Sequence, residues 1–124
     1  MNANRQLFFN ALFMCHRMPE RSFFYKGKQF PICARCTGLG VGYILAFLLL
    51  AMVGLFPLWL VFACIVPMAI DGIGQLFNRW QSTNHRRFVT GLFAGIGLLY
   101  ILFHIGNHAF TLGHTLGSKL LTKI

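Results

Sequence analysis

Between positions 37 and 77 the only charged side chain is Asp71. Residues 37–56 form an uninterrupted run of twenty without a charge. At helical rise such a run matches a hydrocarbon core of about 30 Å, so it predicts a transmembrane helix. Pro57 follows at once and the apolar pattern resumes over residues 58–77. The connection therefore reads as a tight hairpin at the membrane surface, with proline opening the second helix. Pro67 lies inside that second run; it removes one backbone donor and predicts a kink of the kind that neighbouring helices in a membrane tolerate. Residues 78–87 read as a polar loop, residues 88–108 as a third span, and residues 109–124 as a frayed tail or a short surface helix. The expected fold class is an all-α integral membrane protein, a single domain over residues 1–124 in which residues 1–36 precede the spans.

Composition supports this assignment. Only 10% of the residues are charged and 56% are apolar, whereas soluble chains carry about 25% charged residues. The formal net charge of +9 raises the alternative of a nucleic-acid binder. Such a protein would spread its Lys and Arg over polar surfaces rather than between long apolar runs, so no nucleic-acid partner is expected. Membrane lipids are the expected partners, with a second copy of the chain as a further one.

The cations also set an orientation. Arg5, Arg17, Arg21, Lys26, Lys28 and Arg35 precede the first span, and Arg79, Arg86 and Arg87 lie between the second and third; only Lys119 and Lys123 fall on the other side. Because Lys and Arg resist translocation, this asymmetry predicts a cytoplasmic amino terminus, and the expected location is a bacterial inner membrane crossed several times. The apolar stretch over residues 7–14 is not the core of a signal peptide cleaved before Cys15, since Phe13 and Met14 are too bulky for the cleavage site. It reads as an interfacial amphipathic helix that lays Leu7, Phe8, Ala11 and Leu12 against lipid or protein.

Three of the four cysteines sit between that helix and the first span. Cys15-His16 is followed, sixteen residues on, by Cys33-Ala34-Arg35-Cys36. A Cys-x-x-Cys turn lets two thiolates converge on one ion, and a second ligand pair roughly 12–20 residues away is the spacing of tetrahedral zinc sites. Cys15, His16, Cys33 and Cys36 are therefore the candidate metal ligands and zinc the expected cofactor. Adjacent residues seldom bind the same ion, so one of Cys15 and His16 would leave a coordination position for water or substrate, as catalytic zinc requires. The alternatives are a redox dithiol at Cys33 and Cys36, or simple packing. Cys64, alone in the second run, reads as a small core residue.

Asp71 is the second focus. An ionised carboxylate near the centre of a span costs roughly 2.5–3.5 kcal/mol, so it needs a partner or a function. Gln75 lies at i+4 on the same helix face, and both fall toward the end of the second span from which Asn84, Arg86 and Arg87 follow. Thr90 opens the third span beneath them. One reading makes Asp71 and Gln75 catalytic and lets Arg35, Asn84, Arg86, Arg87 and Thr90 bind an anionic substrate, such as a lipid or isoprenoid phosphate. The other makes Asp71 the partner of Arg35, Arg86 or Arg87 in an ion pair that only holds the helices in register.

The remaining signals are structural. Gly38 with Gly42, and Gly91 with Gly95, form small-x-x-x-small faces suited to close helix contact. Trp59 and Trp80 sit near span ends, where interfacial aromatics collect. His104 and His108, four residues apart, would suit a second metal or a proton relay, but without a nearby carboxylate they read as surface histidines.

Three blocks resemble a known family: Cys15-His16-Arg17-Met18-Pro19-Glu20-Arg21-Ser22-Phe23 with Gln29, Pro31 and Cys33-Ala34-Arg35-Cys36-Thr37-Gly38; Asp71-Gly72 with Gln75; and Asn84, Arg86, Thr90 and Gly91. Together they are similar to the domain of unknown function 2085 family of small predicted bacterial membrane proteins. The resemblance implies a membrane protein in which the cysteine block and the Asp and Arg blocks belong to one site, and it implies no particular reaction. The expectation is an enzyme acting on a membrane-embedded anionic substrate. The alternatives are an oligomeric transporter or complex subunit with structural zinc, or a membrane thiol redox protein.

Overall fold

The computed structural model describes residues 18–123 and, ahead of them, Asn4, Leu7, Phe8 and Ala11, which are helical and exposed. A short 3-10 turn, Pro19–Arg21, leads into an antiparallel hairpin of β1 (Ser22–Tyr25) and β2 (Lys28–Cys33). Three helices follow: α1 (Ala34–Val53), α2 (Leu58–Leu76) and α3 (Asn84–Leu121). All three are long and apolar enough to cross a membrane.

The hairpin corrects the all-α expectation. Its two-residue connection, Lys26 and Gly27, has positive φ at both positions, +48° and +76°, which is the turn that matches the twist of paired strands. The strands are short, four and six residues, and Ser22, Lys28 and Gln29 break their apolar character, so the segment shows no long apolar period. The strand pairing slips between Ser22 and Phe24, and this irregularity accompanies the burial of Ser22 among otherwise exposed or half-buried strand residues.

α1 begins three residues before the run that predicted it and ends at Gly54, whose φ of +88° turns the chain out of the helix where a side chain would be strained. Residues 54–57 form the hairpin loop, so the first helix stops three residues short of the expected end of its span, and Pro57 directly precedes α2 as expected. Pro67 lies within α2. α3 departs from expectation at both ends. It starts at Asn84, because the Thr83 hydroxyl accepts a hydrogen bond from the backbone N–H of Arg86 and caps the helix. It then continues through the residues read as a tail, to Leu121. Its 38 residues amount to about 57 Å of helix, nearly twice the reach of the other two, and between residues 105 and 123 all but Gly117 are exposed.

α3 is the shared element, packed against both α1 and α2. The predicted small residues make the first contact. A side chain on Gly38 or Gly42 would strike the carbonyl oxygens of Phe88 or Leu92, and one on Gly91 or Gly95 those of Arg35 or Leu39. Gly97 plays the same part against Val61 and Ile65 of α2. At the end near the α1–α2 loop the buried cluster is Ala46, Val61 and Tyr100. There Phe56 stacks on Tyr100 at 4.8 Å, and the Tyr100 hydroxyl donates to the Gly54 carbonyl at 3.1 Å. His104 is not a free surface histidine: its Nε2 lies 2.8 Å from the Phe56 carbonyl, so the ring donates there and ties α3 to the loop. Cys64 is half-buried rather than central. Outward-facing Phe47, Met52, Trp59, Phe62 and Ile70 are exposed, a belt that suits lipid and would be costly in water.

Candidate functional site

The polar residues gather at the opposite end, where the hairpin, the start of α1, the end of α2 and the start of α3 meet. Asp71 is at the centre, with a side chain only 2% exposed. Its Oδ2 accepts from Arg35 Nη2 of α1 at 2.8 Å and from Gln75 Nε2, one turn along α2, at 2.8 Å. Its Oδ1 faces Arg86 Nη2 of α3 at 3.4 Å, an ion pair that lacks hydrogen-bond geometry. One carboxylate thus joins all three helices.

The consecutive arginines of α3 diverge. The Arg86 side chain is 54% exposed and its guanidinium lies 5.8 Å from the centre of the Trp80 ring, a cation–π distance. Arg87 is buried at 8% exposure and donates from Nη2 to Gln75 Oε1 at 3.4 Å. The Gln75 amide is therefore read in one orientation: nitrogen to the carboxylate, oxygen to the guanidinium.

Beyond Gln75 lies a polar cleft of about 410 Å³. It is lined by Gln75 of α2 and Arg87 of α3, by Glu20 and Arg21 of the 3-10 turn, and by Asn78, Trp80, Gln81 and Ser82 of the loop before α3. The loop is shaped by Asn78, at φ +53°, and by the Arg79 N–H bonding back to the Gly74 carbonyl at 2.9 Å. Trp80 lies directly on Gly74, where any side chain would collide with the indole.

The other expected residues support the frame. Asn84 donates from Nδ2 to the Ser22 carbonyl at 3.3 Å. The Ser22 hydroxyl donates to the Met18 carbonyl at 3.0 Å and accepts from Gln29 Nε2 at 3.2 Å. These two bonds hold the hairpin and the turn before it together, while the Asn84 bond and the edge-to-face contacts of Phe23 with His85 and Phe88 dock it on the first turns of α3. Thr90 turns its hydroxyl back to the Arg86 and Arg87 carbonyls at 2.9 and 3.3 Å and does not line the cleft.

Cys33 caps the start of α1, with its carbonyl accepting from the Thr37 hydroxyl at 3.0 Å. Cys36 follows in the first turn, so both cysteines are half-buried and bracket Arg35 in sequence. Cys15 and His16, the other two expected metal ligands, lie outside the described residues. Among the described residues no three His, Cys, Asp or Glu side chains gather as a metal site.

Glu20, Arg21, Trp80 and Gln81 were not singled out as site residues from the sequence. Glu20 carried a signal only as part of the leading family-like block, Arg21 there and among the cations that set the orientation, and Trp80 only as an interfacial aromatic.

Fold and site together define a small multi-pass membrane protein with a buried ionic cluster at one end of three helices. Residues 15–101 match the predicted membrane proteins of the domain of unknown function 2085, and the chain belongs to that family. It is 42% identical over 90 residues to an uncharacterized protein of Methanothermobacter thermautotrophicus, a match covering 69% of this chain and 81% of that protein. It is 33% identical over 98 residues to an uncharacterized protein of Methanocaldococcus jannaschii, covering 74% of this chain and 63% of that one. Both relatives are archaeal, so the family reaches beyond the bacterial proteins of the resemblance. No solved structure matches the chain.

Proposed function

We propose that this protein binds a membrane-embedded anionic substrate at the polar end of its bundle, on the cytoplasmic side, and acts on it as an enzyme. The observation that carries the reading is Arg87: a buried guanidinium that has no carboxylate partner among the described residues and lines a polar cleft. Isolated buried charge is costly, so such a group calls for a counter-charge. Asp71 does not supply it directly, because its oxygens are engaged by Arg35, Gln75 and Arg86.

In this reading Asp71 is an orienting group rather than a base, and Arg35 and Arg86 hold the helices. That part of the geometry favours the register-pair view of Asp71, while Arg87 and the cleft favour a binding site. The Cys33–Cys36 thiols, completed by Cys15 and His16, are the candidate set for zinc, which when bound would supply Lewis-acid chemistry beside the cleft.

The test is co-purification. Protein extracted in mild detergent is expected to retain anionic lipid, identified by mass spectrometry and enriched over its share of the membrane. Retention in bulk-membrane proportions would overturn the proposal.

A further inference from the structure

We infer that the cleft is a phosphate-recognition site in which Arg87 and Arg21 hold the phosphate group, whether of a lipid headgroup or of free phosphate. The inference rests on the anion-binding reading above and narrows it to one chemistry. Arg87 carries five N–H donors in a fixed fork, and among the described residues its guanidinium makes one hydrogen bond, to Gln75 at 3.4 Å. The rest of the fork borders the cleft rather than being sealed in protein, since none of its nitrogens is a buried atom without a partner.

Gln75 is the positioning residue. Asp71 takes its amide nitrogen at 2.8 Å, which leaves only the amide oxygen for Arg87. The guanidinium is thereby held through Nη2 while Arg87 lines the cleft. Arg21 lines the same cleft from a different segment, the 3-10 turn, and makes no ion pair among the described residues.

The number of donors selects the ligand. A carboxylate presents two oxygens in one plane, which a single bidentate arginine matches, whereas phosphate presents its oxygens tetrahedrally to donors from several directions. Here two guanidiniums from separate segments are joined by the amides of Asn78 and Gln81, an arrangement suited to the larger tetrahedral set of phosphate oxygens. The cleft opens beside Trp80, an indole of the kind that lies at headgroup depth.

Trp80 supplies the readout. In a Trp59→Phe background it is the sole tryptophan, since the chain has two. Full-length protein in uncharged detergent would be titrated with dioctanoyl phosphatidic acid, inorganic phosphate, dodecanoate and dioctanoylglycerol while Trp80 fluorescence is followed. A saturable response to either phosphate probe is expected, with none to dioctanoylglycerol. Preference for phosphatidic acid would identify a lipid headgroup, and equal or better binding of inorganic phosphate a soluble ligand; both support the site. Arg87→Ala should weaken binding about tenfold or more, the loss of a charge-assisted hydrogen bond. Arg79→Ala, outside the cleft, should change it by no more than about twofold, as expected of a screened surface charge.

Should Arg87→Ala not fold, Arg21→Ala on the exposed wall gives the same comparison. A response to dodecanoate but to neither phosphate would overturn the phosphate assignment and leave anion binding intact. A response to no anion would overturn both. Equal losses in the Arg79 and cleft variants would reduce the effect to general attraction and overturn the site.

Discussion

Gly91 lies against the carbonyl oxygen of Arg35 so closely that no side chain fits between them. This contact brings the first turn of α1 onto α3, and it is what lets Arg35 extend across to Asp71 on α2. Gly91→Ala is expected to force the helices apart, with a loss of about 1–3 kcal/mol. Gly72→Ala, at a helical glycine with open space around it, should be neutral or stabilising by up to about 1 kcal/mol. Thermal unfolding in detergent of the two variants checks the contrast.

The legs of the Asp71 cluster differ in burial, and their variants should differ accordingly. Asp71→Asn leaves Arg35 and Arg86 without their counter-charge, and the expected cost is about 3–5 kcal/mol, seen as loss of folded yield. Arg86 is 54% exposed and its ion pair is 3.4 Å long, so Arg86→Ala should cost no more than about 1 kcal/mol. Equal destabilisation by both would mean that Arg86 bears more of the cluster than its geometry indicates.

The sequence made the spans legible because a twenty-residue run without charge has few other uses. It made the Asp71 cluster legible because a lone acid in a span needs partners, and Arg35, Gln75 and Arg86 all contact it. What it did not show was the divergence of Arg86 and Arg87. Adjacent residues on a helix point about 100° apart, and which one faces Asp71 depends on how α3 rotates as its glycines meet α1. The cleft was hidden for a related reason, since Glu20 and Arg21, which line it, precede a β-hairpin whose only strong signal was the Lys26-Gly27 turn. The full length of α3 was missed because His104, Asn107, His108 and Lys119 lower the apolar character of its second half, and Gly106, Gly113 and Gly117 weaken its helical signal, although no proline interrupts it.

At the opposite end, Tyr100 and His104 hold the α1–α2 loop through the carbonyls of Gly54 and Phe56. Tyr100→Phe keeps the stacking on Phe56 and removes one hydrogen bond, so a loss of about 0.5–1.5 kcal/mol is expected. His104→Leu should act on the same loop, and because both anchors lie within one turn of α3, the double variant should depart from additivity. Unfolding midpoints of the two single variants and the double variant measure this coupling.

The zinc proposal predicts about one equivalent of metal per chain in full-length protein purified without chelators. Cys33→Ser and Cys36→Ser should each lose it, whereas Cys64→Ser, in α2, should retain it. Elemental analysis alongside thiol titration decides the point. A wild-type protein without stoichiometric metal and with a reversible Cys33–Cys36 dithiol would replace zinc with redox chemistry.

The central claim is a division of labour among cations of one cluster: Arg35 holds the helices through Asp71, and Arg87 holds the ligand. Arg35→Ala and Arg87→Ala each remove one positive charge from the same end of the bundle, which makes them a matched pair. Native mass spectrometry of both variants, with thermal unfolding of the same preparations, measures the two roles together. The account predicts that Arg35→Ala lowers the unfolding midpoint while the folded fraction keeps its anionic adduct, and that Arg87→Ala loses the adduct with a smaller change in midpoint. Parallel loss of adduct and stability in both variants would contradict it.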